Sequence, residues 1–589
     1  MGVVLGVQRS IGGRLWSERL QDWGAAAALA QIHGLPEIVA RVLAARGVTA
    51  EAVENFLKPT LRALLPDPSR LRDMDRAAAR VARAIEAGES VAVFGDYDVD
   101  GATSGALLHR FFKAAGRLLR LYIPDRMKEG YGPNIPALRQ LKSEGMSLVI
   151  TVDCGVTAYA ALADAAEIGL DVIVVDHHVA EAELPRAVAV VNPNRLDEDG
   201  SLRQLAAVGV AFLLIVAVNR ELRRSGWWNT ARPEPELLDY LDLVALGTVC
   251  DVVPLTGINR ALVTQGLKVM AQRRSIGLAA LSDIAKLKER PGAYHCGFLL
   301  GPRVNAGGRV GEANLGVRLL TTEDAREAAE IAQRLDRLND ERRAIEQSML
   351  EEAIRIIDAE SDKDAALAFV AQEGWHAGVI GIVASRLKER YSRPALVAAI
   401  ADGIAKGSGR SVPGFDLGAA ILAARQSGLL INGGGHVMAA GFTARAEDLP
   451  SLKSFLNERV ARHTAAGALT PTLGIDGVLL PGGATASLTR LLEQIGPFGS
   501  GNAEPRFVLP AVRLAKAEAA GENHIRCILL GSDGGRLKAV AFRALGTPLG
   551  QALLAARGAA LHLAGHLRTD TWQGREETQL LIEDAALAA

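Results

Sequence analysis

The sequence predicts two α/β domains joined by a long helix and followed by a small antiparallel β-barrel. Three observations carry this prediction. From about residue 76, apolar runs that resemble strands alternate with helical segments. A polar stretch over 321–359 then continues without Gly or Pro, and short apolar runs separated by turns fill 470–589. Strands that alternate with helices of about 10–14 residues are typical of right-handed βαβ units and a parallel sheet.

Length and composition are those of a multidomain globular protein. With 589 residues, the chain is too long for a single core. Its net charge of −1 lacks the excess of Lys and Arg that usually marks a nucleic-acid binder, so any polyanion site must be local. No apolar stretch approaches the ~20 residues of a membrane span, no signal-peptide pattern is seen, and the four cysteines are widely separated. We therefore expect a cytoplasmic protein without membrane contact.

The predicted domains follow one another along the chain. They are a peripheral helical segment, a first α/β domain, a connecting helix, a second α/β domain and the barrel, over 1–75, 76–320, 321–360, 361–465 and 466–589. Residues 203–290 are expected to be mostly helical. In the connecting segment, apolar residues recur at helical spacing, namely Ile331, Leu335, Leu338, Ile345 and Met349. The length of this segment favours a rigid connector.

Acidic residues follow three predicted strands of the first α/β domain. The runs VAVFGD, LVITVD and VIVVD end in Asp96, Asp153 and Asp176. Because the carboxyl ends of parallel strands share one edge of the sheet, where ligands bind, we expect these residues to converge. Nearby candidates for the same site are Asp98, Asp100, His177, His178 and Asp251.

This set of residue types favours a particular kind of metal. Asp oxygens and His nitrogens without a thiolate cluster suit Mn²⁺ or Mg²⁺ better than a structural zinc, and two such ions could support phosphoryl displacement. A single Asp after a strand is more often a helix cap or turn residue, and a lone His is more often structural. Three strand ends that all carry Asp favour the metal site over these alternatives.

Several motifs resemble a known family. GDYDVDG, VDCG and VDHH resemble the motifs of the DHH phosphoesterase superfamily. Ordered matches further along the chain resemble the RecJ family of bacterial single-strand-specific exonucleases; these are GPRVNAGGRVG, GWHAGVIGIVASRL, GSGRSVPGFDL, GGGHVMAAGF and IGPFGSGNAEP. The resemblance implies a DHH domain, then a smaller DHHA1 domain, and an OB-fold in place of the unspecified barrel.

The resemblance also implies roles for individual residues. It makes Asp98, Asp100, Asp153, His177 and Asp251 the ligands of two Mn²⁺ or Mg²⁺ ions, with Asp153 as their bridge, and Asp96 a further candidate ligand. Asp153 and His178 are the expected catalytic residues, and His178 would lie beside the scissile phosphate. Phosphates near the 5′ end would be held by Arg303, Arg309, Ser408, Arg410 and His436. Glycine-rich backbone and Arg guanidinium groups are suited to binding phosphate.

The function implied by the resemblance is 5′-to-3′ degradation of single-stranded DNA in repair and recombination. A monomer is expected, with single-stranded-DNA-binding protein and a RecQ-type helicase as partners. Two alternatives stay open: a DHH phosphoesterase acting on short oligonucleotides, cyclic dinucleotides or pyrophosphate, and an inactive scaffold that binds single-stranded DNA. In the barrel, Phe542 and Trp572 could stack on bases, but each is equally compatible with a place in the core.

Overall fold

The chain forms two compact units. The computed structural model describes residues 2–125, 129–359, 365–465, 471–556, 558–572 and 575–588. The first unit contains Met1–Pro124, Tyr131–Gly301 and Pro471–Ala589, and the second contains Asp125–Gly130 and Pro302–Thr470. Among the described helices, none combines the length and the apolar character that a membrane crossing requires.

The N-terminal segment contains a strand that the sequence does not predict. Its elements are β1 (Leu15–Glu18), α1 (Trp23–His33), α2 (Glu37–Ala44), α3 (Val53–Leu57) and α4 (Leu61–Leu64). Strand β1 pairs in parallel with Thr472–Ile475, near the other end of the chain. Trp16 on β1 is fully buried and donates a hydrogen bond from Nε1 to Oδ2 of Asp584 (3.1 Å). Leu29, Val42 and Val53 share a core with barrel residues, so the segment is not peripheral.

A five-stranded parallel sheet follows in the first unit, with strand order β3-β2-β4-β5-β6. The elements in chain order are α5 (Met74–Ala87), β2 (Val91–Gly95), α6 (Val99–Ala114), β3 (Leu119–Tyr122), α7 (Ile135–Ser143), β4 (Leu148–Val152), α8 (Tyr159–Glu167), β5 (Asp171–Val175) and β6 (Ala189–Val191). Every residue of β2 and β4 is buried, as expected for central strands covered on both faces. The predicted alternation of strands and helices is confirmed.

Helices continue the chain from the first unit into the second. They are α9 (Ala207–Arg224), α10 (Leu241–Cys250), α11 (Gly257–Met270), α12 (Ile276–Ile284), α13 (Ala293–His295), a π-helical turn (Cys296–Leu300), α14 (Gly301–Val310), α15 (Leu315–Thr321) and α16 (Ala325–Ala359). The predicted long helix is confirmed as α16, which has 35 residues and belongs to the second unit. Its buried side includes Ile331, Leu335 and Met349, the spacing noted in the sequence.

The second unit has its own sheet, with strand order β10-β11-β9-β8-β7. Its elements are β7 (Ala368–Glu373), α17 (Ile380–Tyr391), β8 (Ala395–Ala401), β9 (Ile404–Arg410), α18 (Leu417–Gln426), β10 (Asn432–His436), β11 (Ala439–Arg445) and α19 (Leu449–Ala465). Strands β7 and β8 are parallel, and the other pairs are antiparallel. Separate clusters around Leu396 and Val397 show that alternate residues of β8 pack in two different cores.

The last part of the chain closes a five-stranded barrel within the first unit. The elements of this part of the chain are β12 (Thr472–Ile475), β13 (Gly477–Val478), α20 (Ala486–Glu493), β14 (Phe507–Ala520), β15 (His524–Leu530), β16 (Arg536–Ala541), α21 (Pro548–Ala555), β17 (Ala560–Trp572) and β18 (Arg575–Leu587). The order β14-β15-β16-β18-β17 returns to β14, as in an OB-fold. Contrary to the sequence prediction, the barrel is not antiparallel throughout, because the β16–β18 pair is parallel. Phe542 is 58% exposed and is not a core residue, whereas the side chain of Trp572 lies outside the described part.

We predict that Trp16→Ala destabilises the first unit by about 3–5 kcal/mol, because it leaves a cavity in the core and removes a buried donor. Trp23→Ala is the matched control, since Trp23 is 50% exposed beneath the guanidinium of Arg41, and it should cost no more than about 1 kcal/mol. Urea unfolding followed by circular dichroism measures both effects. Equal midpoints for the two variants would contradict the role given to Trp16.

Candidate metal centre and anion site

The structure brings all the candidate metal ligands together at the carboxyl edge of the first sheet. Three groups of side chains each have ligand atoms within 4.8 Å of one another. The groups are Asp96 with Asp98 and Asp153, Asp153 with His177 and His178, and Asp100 with His177 and Asp251. Asp153 and His177 each belong to two groups, so the three groups form one continuous cluster.

Asp153 has an unusual backbone conformation at the centre of the cluster. Its φ angle is 60°, in the left-handed region that non-glycine residues rarely adopt. Such a conformation costs about 1–3 kcal/mol and persists where the surroundings fix it. Here the backbone N–H of Asp153 donates to the carbonyl of Val175 (3.0 Å). The side chain is almost fully buried and lies among ligands from β2 and β5.

Asp98 and Asp100 are held by backbone N–H groups. Asp98 is the N-cap of α6, and its Oδ1 accepts from the N–H groups of Asp100 (2.8 Å) and Gly101 (3.1 Å). Both oxygens of the buried Asp100 accept from the start of α9, at Ala207 (2.7 Å) and Val208 (2.9 Å). Asp98 therefore caps α6, although the helix-cap alternative concerned the Asp directly after a strand, such as Asp96; the cap does not prevent the side chain of Asp98 from facing the cluster.

Asp251 reaches the cluster because α10 packs closely against α6. A Cβ atom at Gly247 on α10 would lie 2.3 Å from Oγ1 of Thr103 on α6. Only glycine allows this approach, and Asp251 follows α10 directly. Its Oδ2 lies 3.5 Å from Nε2 of His177, on the side occupied by Asp100.

Asp176 supports the histidines without joining any of the three groups. Its Oδ1 accepts from the backbone N–H groups of His177 (2.7 Å) and His178 (3.1 Å) and lies 2.8 Å from Nδ1 of His178; its Oδ2 accepts from Val156 N–H (3.0 Å). Although burial opposes it, the hydrogen bond with His178 lowers the pKa of Asp176. Burial likewise opposes the effect of Asp176 on His178, but its hydrogen bond and charge raise the pKa of His178. An ion pair between the two is therefore favoured.

Tyr131 is a residue of the site that sequence reasoning missed. Its hydroxyl donates to the backbone carbonyl of Asp153 (2.9 Å) and lies 3.2 Å from Nδ1 of His178. Burial and the nearby carboxylates raise the pKa of Tyr131, so that the phenol keeps its proton. The only local signal is the flanking glycines in GYGP, which indicate a turn and do not indicate a function.

Charge repulsion and burial make the cluster unfavourable without a cation. Burial, and then nearby Asp98, raise the pKa of Asp100 to about 7. Burial, followed by Asp100 and Asp98, raises the pKa of Asp251 to about 9, and burial with the surrounding carboxylates raises that of Asp153. Burial and His178 lower the pKa of His177 to about 4, so that its imidazole is neutral and has a lone pair for a metal.

Three buried ligand atoms in this cluster also lack hydrogen bonds within the described part of the chain. They are Oδ1 of Asp153, Nε2 of His177 and Oδ2 of Asp251. The Nε2 atom lies 3.3 Å from the Asp153 oxygen, in an arrangement that forms no hydrogen bond. Since buried polar atoms are normally paired, a divalent cation coordinated by oxygen and nitrogen fits these residues.

The second unit gathers most of the predicted phosphate-binding residues around the start of α17. Nη1 of Arg410 donates to Oγ of Ser408 (3.1 Å), and a Cβ at Gly381 would lie 3.1 Å from that Oγ and from Nη2 of Arg410. Arg309 donates to the carbonyl of Gly378 (3.0 Å), just before the helix. His436 pairs with Ala439, which pairs with Arg410, so both side chains belong to one row of the sheet. The N-terminus of a helix beside two arginines is suited to an anion.

Arg303 is in a different environment from the other predicted phosphate-binding residues. It is nearly buried, and its Nε donates to Oδ1 of Asp336 on α16 (2.8 Å). Its charge is therefore at least partly balanced within the second unit.

Three family models match separate parts of the chain. The DHH family N-terminal domain matches residues 90–248, the DHHA1 domain matches 362–462, and the RecJ OB domain matches 475–584. The predicted OB-fold and DHH/DHHA1 pair are thereby confirmed.

Whole-chain comparisons agree with these matches. The single-stranded-DNA-specific exonuclease RecJ of Bacillus subtilis is 37% identical over 568 residues, covering 95% of this chain and 69% of the relative. The protein of the same name from Escherichia coli is 36% identical over 564 residues, which cover 93% of this chain and 96% of the relative.

Solved structures of RecJ proteins have a fold similar to that of this chain. RecJ from Thermus thermophilus in complex with Mn²⁺ has a TM-score of 0.81 and 31% identity, covering 96% of this chain and 78% of that one. The Mg²⁺ complex of the same protein has a TM-score of 0.75 and 29% identity, and the match covers 96% of this chain and 77% of that one. The chain therefore belongs to the RecJ family of single-stranded-DNA-specific exonucleases.

Proposed function

We propose that this protein is a metal-dependent exonuclease that degrades single-stranded DNA from its 5′ end, acting in DNA repair and recombination. The observation that carries the proposal is the cluster around Asp153, in which three buried ligand atoms lack hydrogen bonds in the described residues. The relatives named as single-stranded-DNA-specific exonucleases, and the Mn²⁺ and Mg²⁺ complexes of the Thermus protein, support it.

The overlapping groups support a site for two Mn²⁺ or Mg²⁺ ions. The proposed ligands are Asp96, Asp98, Asp100, Asp153, His177 and Asp251, with Asp153 shared between the ions. When bound, the ions supply activation of a water molecule and stabilisation of the charge on the phosphate. The carboxylates would hold the cations in a largely buried region, where electrostatic interactions are stronger than in water.

His178 and its supporting residues act on the substrate side of the cluster. Asp176 and Tyr131 both approach Nδ1 of His178, which fixes the orientation of the ring. The side chain is 49% exposed, and its raised pKa favours the protonated imidazolium. We therefore assign His178 a hydrogen bond to an oxygen of the scissile phosphate, with Asp176 as a positioning residue.

The second unit supplies the proposed contacts to phosphates near the 5′ end. Arg309, Ser408, Arg410 and His436 surround the start of α17 or lie in the same row of the sheet. We retain Arg303 as a proposed phosphate ligand, but its ion pair with Asp336 must weaken or rearrange for a full contact.

Further parts of the proposal come from the sequence. The domain boundaries 1–75, 76–320, 321–360, 361–465 and 466–589 rest on the pattern of elements along the chain, and the cytoplasmic state rests on composition. The monomeric state and the partners single-stranded-DNA-binding protein and a RecQ-type helicase rest on family resemblance.

The direct test is time-resolved digestion of a 50-mer labelled at its 5′ or its 3′ end, with and without Mn²⁺. We expect the 5′ label to appear at once in the smallest products, and the 3′ label to pass through a ladder of shortening strands. EDTA should abolish both patterns. Equal rates on a dinucleotide and on the 50-mer would instead favour a phosphoesterase for short substrates, and binding that is indifferent to EDTA without cleavage would favour a scaffold.

We predict that Asp153→Asn lowers exonuclease activity by at least about 100-fold and weakens Mn²⁺ binding measured by calorimetry. In EDTA its unfolding midpoint should stay equal or rise, because the change removes one of several mutually repelling carboxylates. Asp402→Asn is the matched control, since Asp402 is exposed and also has a left-handed backbone (φ 50°). Undiminished activity in Asp153→Asn would show that the metal assignment is wrong.

A further inference from the structure

A buried carboxamide near the start of α11 connects two separate parts of the first unit. It belongs to Asn259, which is fully buried. Its Nδ2 donates to the backbone carbonyl of Gln204 and to that of Pro254 (3.0 Å), whereas its Oδ1 has no hydrogen bond within the described part of the chain. The two carbonyls lie on segments that are far apart in the sequence, one shortly before α9 and one shortly after α10.

The segment that contains Gln204 holds a candidate metal ligand. It leads directly into α9, and both oxygens of Asp100 accept from the first backbone N–H groups of that helix, at Ala207 and Val208. Because both oxygens are used, the start of α9 sets the orientation of this carboxylate. A displacement of the segment 204–208 would therefore move the carboxylate of Asp100 as well.

The segment that contains Pro254 carries another candidate ligand, Asp251, in a strained stretch of backbone. Val252, directly after Asp251, has a φ angle of 62°, which is rare for a β-branched residue. Such a conformation is unfavourable and persists only where the surrounding structure holds it. Two residues further on, the carbonyl of Pro254 accepts from Nδ2 of Asn259. The carboxamide thus holds the backbone that places Asp251 in the cluster.

The next residue, Arg260, fixes the start of α11 against other parts of the first unit. Its side chain is almost fully buried; Nε donates to the carbonyl of Phe56 (2.8 Å), and Nη2 donates to those of Gln494 (3.2 Å) and Gly496 (2.5 Å). The Cζ atom also lies 4.0 Å from the centroid of the Phe56 ring. Helix α11 is therefore tied to α3 and to the loop after α20, and Asn259 acts from a fixed position.

We propose that Asn259 is a positioning residue of the metal centre, which holds the segments of Asp100 and Asp251 in place for coordination. This inference rests on the proposed function, because it takes those two carboxylates as metal ligands. They belong to one group whose ligand atoms lie within 4.8 Å of one another, and their charges repel. A link between the two segments opposes this repulsion before an ion binds, so that less reorganisation is needed for coordination.

The test compares Asn259→Ala with the control Asn219→Ala. Asn219 on α9 is also a buried Asn (3% exposed); its Nδ2 donates to Oε1 of Glu234 (2.6 Å), and its Oδ1 lacks a hydrogen bond in the described residues. Mn²⁺ affinity is measured by calorimetry and by the electron paramagnetic resonance signal of free Mn²⁺. We expect Asn259→Ala to lower this affinity by about 10- to 100-fold. Asn219→Ala should leave it within about twofold, because this side chain contacts neither segment.

The dependence of activity on Mn²⁺ concentration separates positioning from a general loss of stability. In Asn259→Ala the Mn²⁺ concentration for half-maximal exonuclease activity should rise, while kcat at saturating Mn²⁺ stays within about threefold, because every ligand is still present. Urea unfolding in EDTA should show a similar loss of stability in both variants. If Asn259→Ala does not fold, Asn259→Ser, which keeps one donor, should show the same change in Mn²⁺ affinity to a smaller extent.

Equal Mn²⁺ affinities in Asn259→Ala and Asn219→Ala would overturn the inference and leave Asn259 with a role in stability alone. An equal fall in both variants would overturn it for the same reason. In either case the proposed function stands as long as the unaltered protein binds Mn²⁺ and degrades single strands. If the unaltered protein does neither, the proposed function fails and the inference fails with it.

Discussion

Repulsion among buried carboxylates is the constraint on which the structure around the first sheet depends. Asp96, Asp98, Asp100, Asp153 and Asp251 converge on a region that also contains two imidazoles. Burial and mutual repulsion raise the pKa of Asp100 to about 7 and that of Asp251 to about 9. At neutral pH such a cluster must either take up protons or bind cations, and its unpaired atoms favour cations.

Backbone N–H groups hold three acidic side chains of this region in place, those of Asp98, Asp100 and Asp176. Asp98 caps α6, and Asp100 accepts two N–H groups from the start of α9. Asp176 accepts three backbone N–H groups and approaches His178. The positive ends of helices and turns thus stabilise part of the negative charge, and the remainder is left for metal ions. The same interactions fix the side chains that would act on a phosphate.

The sequence was informative where the chemistry is local and periodic. Acids at the ends of apolar runs gave Asp96, Asp153 and Asp176, because parallel strands bring their carboxyl ends to one edge. The 35-residue helix α16 was visible as an unbroken polar stretch with helical spacing. The OB-fold could be predicted only through the family resemblance, because alternating apolar runs indicate a barrel but do not determine its strand order.

Other features depend on contacts between distant parts of the chain. The pairing of β1 with β12 and the burial of Trp16 have no signal in LWSE itself, because the partner lies near the other terminus. Tyr131 reaches Asp153 and His178 only through the path of its loop. The ion pair of Arg303 with Asp336 depends on how α14 packs against α16.

The most direct measurement of the central claim is anomalous diffraction at the manganese edge from crystals of the protein grown with Mn²⁺. We predict two anomalous peaks, both within coordination distance of Asp153, with His177 and Asp251 among the remaining ligands. Absence of peaks at this cluster, or peaks confined to other parts of the molecule, would contradict the account.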